Sequence, residues 1–195
     1  DFLLSLNQLS SRGSVLEGKY RQLITGGDNW DSGRFEAEGH YLYKDDITSQ
    51  DRWLLNSKLD LTLNKRAKLS IVTNRVSDAQ YFNEITHDNT SVSSLDSHAN
   101  LSYDDEKRNL YFSVFSESKQ LINSDSEAYT RAPEVLISKD VEALGGRNIN
   151  LSILSTKFAH KNANTTTNKT GVRTHTQINF ARTVSNNTYT LTPSL

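Results

Sequence analysis

The sequence predicts an all-β chain: an antiparallel up-and-down meander of about eleven strands with the character of a transmembrane β-barrel. Three observations carry this. Apolar and polar residues alternate with a period of two along most of the 195 residues. The alternating runs last about 10–12 residues, longer than the usual globular strand of about 5–6 and close to the roughly 9–11 that a tilted membrane strand needs. Only two prolines occur, Pro133 and Pro193, and no long helical periodicity interrupts the pattern.

The predicted strands are 2–10, 14–24, 33–44, 53–64, 67–77, 92–103, 109–121, 128–138, 147–159, 170–182 and 188–193. In the third, Phe35, Ala37, Gly39, Tyr41 and Tyr43 share one face, while Glu36, Glu38 and His40 share the other. Successive side chains of a strand point to opposite sides, so this is a two-faced wall. Leu59, Leu61 and Leu63 repeat the pattern against Lys58 and Asp60. So do Leu69/Ile71, Leu110/Phe112/Val114, Ile149/Leu151/Ile153 and Val172 to Phe180. Polar faces carry several charges per strand, including Glu17, Lys19 and Arg21 in the second. Such a face suits a hydrated lumen and equally the outside of a soluble sandwich. Alternation leaves both open, and strand length favours the membrane barrel.

Tight hairpins are expected at Ser11-Arg12-Gly13, Asn64-Lys65-Arg66 and Asp104-Asp105-Glu106-Lys107. Longer connections are expected at 25–32, 45–52, 78–91, 140–146 and 160–169. The long ones fall mainly after odd-numbered strands, which points those ends outward in a barrel.

Composition excludes several classes. With 22 Lys+Arg against 23 Asp+Glu, the chain lacks the basic field of a nucleic-acid binder. No apolar run approaches the roughly 20 residues of a membrane helix, which leaves alternating barrel strands untouched. There is no Cys, hence no disulfide or thiol chemistry within the sequence. The absence of Met means that Asp1 is not a natural translation start. No signal peptide is visible, and an exported protein could have lost one.

Residues able to carry chemistry have simpler readings. His40, His87, His98, His160 and His175 show no metal-ligand spacing. Glu36 and Glu38 share a face, and two nearby carboxylates can cleave glycosides. Charge on a solvated face accounts for them without catalysis. Gly26-Gly27 and Gly145-Gly146 open no phosphate loop, and Asn164-Thr165-Thr166 is one of several N-x-S/T triplets. Tyr20, Tyr41, Tyr43, Trp53, Tyr81, Phe82, Tyr103, Phe158 and Tyr189 cluster near strand ends, as at a membrane–water interface or in ordinary cross-strand packing. No catalytic, cofactor or metal residue is assigned.

The stretch Arg75-Val76-Ser77-Asp78-Ala79-Gln80-Tyr81-Phe82-Asn83 is the most specific motif. It leaves a strand, and Asp78 is placed to accept backbone N–H bonds at the turn. Tyr81 and Phe82 can anchor the loop to the wall. The form R-V-S-D-x-x-Y-F-N resembles the outer-membrane lipopolysaccharide-assembly family LptD. Arg12-Gly13 with Glu17-Gly18-Lys19-Tyr20-Arg21, and Arg52-Trp53-Leu54, are similar to earlier strands of that family. Arg131-Ala132-Pro133-Glu134-Val135, Phe158-Ala159-His160 and Thr170-Gly171-Val172-Arg173-Thr174-His175 resemble later ones.

The resemblance implies an outer-membrane location and a barrel of about 26 strands, of which residues 1–195 supply the N-terminal part. The family's periplasmic jellyroll and remaining strands are expected outside this sequence. It implies no enzyme chemistry. The implied partners are lipopolysaccharide, an LptE-type plug lipoprotein and a periplasmic bridge protein that delivers lipid through the jellyroll. Strand 2–10 would form one side of a lateral gate. Glu17, Lys19, Arg21, Glu36, Glu38 and Lys58 would line the lumen. Pro133 is expected to mark a bulge or local loosening of its strand. A diffusion porin and a soluble carbohydrate-binding β-domain are the alternatives.

Overall fold

The computed structural model describes residues 1–27, 31–86, 92–122, 129–143, 147–160, 169–182, 184–185 and 190–191. Among them, ten strands follow one another in a single antiparallel sheet. They are β1 Phe2–Leu9, β2 Gly13–Thr25, β3 Ser32–Leu42, β4 Arg52–Asn64, β5 Ala67–Val76, β6 Ser94–Asp105, β7 Leu110–Leu121, β8 Thr130–Ala143, β9 Arg147–Ala159 and β10 Gly171–Arg182. Each pairs with its sequence neighbour, so the order is that of an up-and-down meander. The sheet is open, with β1 and β10 at its edges.

The eleventh expected wall strand, 188–193, is corrected. Thr190–Leu191 (β12) pairs with Val184–Ser185 (β11) in a separate two-stranded ribbon. Its ladder bonds go to that neighbour and not to β10. The rest of 188–193, with Tyr189, lies outside the described residues, as do His87, Gly145-Gly146 and Asn164-Thr165-Thr166. The connection expected at 140–146 is shorter, because β8 continues to Ala143.

Register joins the alternation of separate strands into two continuous faces. Glu17 lies opposite His40, Lys19 opposite Glu38 and Arg21 opposite Glu36. Glu36 lies opposite Lys58, which lies opposite Val72, which lies opposite His98. His98 lies opposite Glu117. The same parity reaches Glu134, Thr156 and Arg173. On the other side Leu55, Leu101, Ile137, Ile153 and Ile178 stay 39–51% exposed in spite of their size, with no second layer over them among the described residues. Contiguous apolar surface of this extent marks a contact with another apolar phase.

Two register shifts interrupt the ladders. One lies between Thr62 and Asn64, beside the tight β4–β5 turn. The other lies between Arg131 and Glu134, at the Ala132–Pro133 peptide, which is cis. There β8 advances three residues while β9 advances two, the count that defines a bulge. Its effect is to put both Arg131 and Glu134 on the polar face.

The buried core is small and one-sided. Val15, Leu42, Leu54 and Val76 come from the polar face near the ends of β2 to β5. Tyr81 and Ile85, from the connection after β5, and Ile122 complete the cluster. That connection forms a single π-helical turn, Phe82–Thr86, lying over the polar face and not over the apolar one.

Candidate functional site

Two arrangements on the polar face stand out: a belt of paired charges across the first strands, and an ionic cluster under the β5–β6 connection.

In the belt, the Lys19 ammonium donates to Glu38 at 2.8 Å, and His40 Nε2 lies 3.4 Å from the same carboxylate. Arg34 engages Glu36. Lys58 meets Asp60 at 2.9 Å, and the Ser70 hydroxyl donates to Asp60 at 2.7 Å. The Ser5 hydroxyl donates to Glu17, and Arg21 pairs with Asp1 at 3.0 Å. Lys19, Arg21, Glu36, Glu38 and Lys58 line one hollow of about 540 Å³ beside Asn56 and Asn74, and Glu17 lies outside it. Cations occupy both Glu36 and Glu38, so their proximity has a purely electrostatic explanation. Exposed pairs of this kind contribute little stability. Their consequence is a wall dense in hydrogen-bonding groups.

The cluster is built around Arg52, the first residue of β4, which is 3% exposed. Its guanidinium donates to Asp78 through Nε at 2.9 Å and Nη2 at 2.6 Å. Nη1 donates to Glu84 at 2.6 Å and to Asp45 at 3.2 Å. Arg12, from the β1–β2 turn, donates to Asp45 at 2.6 Å and meets Glu84 at 3.1 Å. Two arginines and three carboxylates thus join the β1–β2, β3–β4 and β5–β6 connections. Arg52 and Asp45, the buried members, stay in place only while each charge keeps its partner.

Local chemistry prepares the loop for this role. The Gln80 N–H donates to Asp78 Oδ1 at 3.0 Å, an Asx-turn, and the Ser77 hydroxyl donates to Oδ2 at 2.6 Å. The Ile47 N–H donates to Asp45 Oδ1 at 2.9 Å. Burial pushes the Asp45 carboxyl up, but the Ile47 N–H, Arg12 and Arg52 outweigh it and hold it below the ordinary range. Burial likewise raises Asp78, and Ser77, Arg52 and the Gln80 N–H bring it below normal. Tyr81 is fully buried, with its ring centroid 5.9 Å from the Arg52 guanidinium carbon and Phe82 edge-on at 6.0 Å. Burial, with help from Glu17, raises its phenol above the usual value.

Other motif residues sit apart. Arg75 is on the apolar face, and its Nη2 donates to the Ser118 hydroxyl. Val76 joins the core, and Asn83 is exposed on the π-helical turn. Arg131 donates to Glu117 through Nε and Nη2, both at 2.9 Å, and stacks 4.8 Å from the Phe115 ring. Pro133 occupies the bulge. Gly171 and Arg173 open the far-edge strand β10, remote in the meander from the Arg52 cluster. Asp78 and Tyr81 stand out in the sequence, but nothing in it points to Arg12, Asp45 and Glu84 as their neighbours. The available signal was weak: four charged residues at three separate connections, with nothing in their spacing to join them.

These features describe a strand-built wall, polar on one side and apolar on the other, with an anchored loop. A family model described as LptD, LPS transport system D, matches residues 50–195. The chain belongs to the LptD family. A comparison with curated proteins finds no match. The matched span takes in Arg75 to Asn83, Arg131 to Val135 and Thr170 to His175, while the Arg12 to Arg21 motifs precede it. LptD-family membership makes this an outer-membrane protein of lipopolysaccharide transport. No helix among the described residues is long and apolar enough to cross a membrane.

Proposed function

We propose that residues 1–195 form the opening strands of a larger outer-membrane barrel that inserts lipopolysaccharide into the outer leaflet. The polar face lines the lumen and carries the sugar and phosphate head. β1 forms one side of a lateral gate through which the acyl chains pass. The observation that carries this reading is the continuity of the polar face over ten strands, backed at alternate positions by exposed apolar residues. An amphipathic lipid crossing a bilayer needs a hydrated path for its head and an apolar outlet for its chains.

On this reading Glu17, Lys19, Arg21, Glu36, Glu38 and Lys58 line the lumen near the gate. Every residue of β1 except Leu9 is exposed, and its free edge is the one that would part. An LptE-type lipoprotein fills part of the lumen, and the periplasmic bridge delivers lipid through a jellyroll outside residues 1–195.

Photo-crosslinking in the full-length protein tests this. Probes replacing Glu36 or Lys58 should capture lipopolysaccharide or the plug during transport. Probes replacing Leu59 or Leu101 should capture neither the plug nor transported head groups. Capture from the apolar face alone would overturn the assignment. So would unchanged delivery and plug binding after combined reversal of Lys19, Glu36, Glu38 and Lys58.

A further inference from the structure

The β5–β6 ladder ends at Val72↔His98, although β5 runs on to Val76 and β6 begins at Ser94. Both strands stay paired beyond that point with their other neighbours, β4 and β7. The β7–β8 ladder likewise ends at Phe115↔Glu134, while β7 continues to Leu121. The outer part of the β6–β7 hairpin, residues 94–97 with 118–121, is therefore a two-stranded tongue between two forks. It has backbone pairing within itself and to neither side.

Side chains close both forks. The Val76 N–H donates to Gln120 Oε1 at 3.1 Å, and Gln120 Nε2 donates to the Val76 carbonyl at 2.8 Å. The Gln120 amide thus replaces a missing peptide of β6. The Asn74 N–H donates to the Ser97 hydroxyl at 3.0 Å, which donates back to the Asn74 carbonyl at 3.2 Å. Asn74 Nδ2 donates to the Asp96 carbonyl at 2.9 Å. Arg75 reaches over the fork to Ser118. Across the other fork the link is Arg131 on Glu117, with both Nε and Nη2 donating. At the base of the tongue His98 stacks on Phe115 at 5.8 Å. Ile122, just beyond the tongue, packs into the cluster of Tyr81 and Ile85. Tyr81 and Ile85 belong to the loop that Arg52 anchors.

We infer that this tongue is a hinged panel of the wall, pivoting near His98 and Phe115, and that the Arg52 cluster is its latch. Its side-chain stitches can part and reform without unzipping a ladder, and the π-helical loop ties the tip to Arg52. Opening the panel gives the lumen a lateral outlet to the bilayer well away from β1. Its purpose rests on the transport reading above. The motion does not, and it is measured with no substrate present.

The test is residue-resolved hydrogen exchange in the full-length protein in lipid bilayers. The Asn74 and Val76 amides, closed only by side chains, should exchange about tenfold faster than those of Ser70 and Val72, which face the intact ladder. Gln120→Ala should accelerate Val76 about tenfold further while leaving Ser70 unchanged. Arg52→Gln should accelerate exchange in 118–121 as well as in 77–86. Equal protection of Asn74, Val76, Ser70 and Val72 overturns the panel. Exchange in 118–121 that ignores Arg52→Gln overturns the latch. Unchanged lipopolysaccharide transport in Arg52→Gln, with exchange accelerated as expected, would leave the panel standing and overturn its purpose as an outlet instead.

Discussion

Arg52 and Asp78 meet in a two-pronged ion pair, Nε to Oδ2 at 2.9 Å and Nη2 to Oδ1 at 2.6 Å, across the mouth of the β5–β6 connection. One prong fixes the loop's position and the second fixes its orientation. Planar guanidinium geometry makes this possible where an ammonium would give a single contact.

Arg52→Lys should therefore loosen the loop despite keeping the charge. Arg52→Gln should loosen it more, by about 3 kcal/mol of local opening free energy, because it leaves Asp45 buried beside Arg12 alone. A spin label on exposed Asn83 (Asn83→Cys) in the full-length protein reads the change. Mobility should rise in the order wild type, Arg52→Lys, Arg52→Gln.

The same label should respond to acid. Asp45 and Asp78 titrate below the ordinary carboxylate range in the folded loop. A depressed folded value stabilises the loop fully above the unfolded value, about 3.9, and that contribution is lost as pH falls through the folded values. Mobility at residue 83 should be flat from about pH 8 to pH 5 and rise below about pH 4. A transition near neutral pH would contradict the carboxylate assignment.

Parity gives a third prediction. Leu101 is 41% exposed on the apolar face, and its neighbour Ser102 points to the polar face. Leu101→Arg should destabilise the folded protein in bilayers by about 2–4 kcal/mol, the usual penalty for a basic residue facing lipid at mid-depth. Ser102→Arg should change stability by under about 0.5 kcal/mol. Reversible denaturant unfolding into vesicles separates the two.

Gly33 supplies a fourth. A Cβ at this position would sit 2.8 Å from the Asp60 carbonyl oxygen of the paired strand and would collide with the Leu61 side chain. Gly33→Ala should lower stability by about 1–3 kcal/mol through forced backbone shifts. Gly171→Ala is the control, since nothing lies within 4 Å of a Cβ there. The fraction migrating as folded protein in unheated detergent gels should fall for the first substitution only.

The ten wall strands were legible because burial on one side writes a two-residue period into each of them. Asp78 was legible as a turn residue because an Asx-turn is local. Its partner Arg52 lies 26 residues earlier. That meeting depends on the register of β3, β4 and β5, which no short window encodes. Glu84 was missed because the π-helical turn has no apolar period of its own. The ends of the β5–β6 and β7–β8 ladders were hidden for a further reason. Residues 73–76 and 94–97 are strands by virtue of their other neighbours, so their alternation continues unbroken across both forks. Pro133 was legible as a disturbance because it lacks a ladder donor.

The bulge beside Pro133 works as a phase shift in a two-beat rhythm. Residues before it and after it keep time, but one beat apart, which lets odd-numbered Arg131 and even-numbered Glu134 face the same side. Removing a single residue there would restore the even count and turn the Arg131 charge to the apolar face, at about 2–4 kcal/mol if that face meets lipid as proposed. In this stretch the chain's length, more than its composition, decides which solvent each side chain meets. Natural variants should accordingly change residue identity here far more freely than residue number.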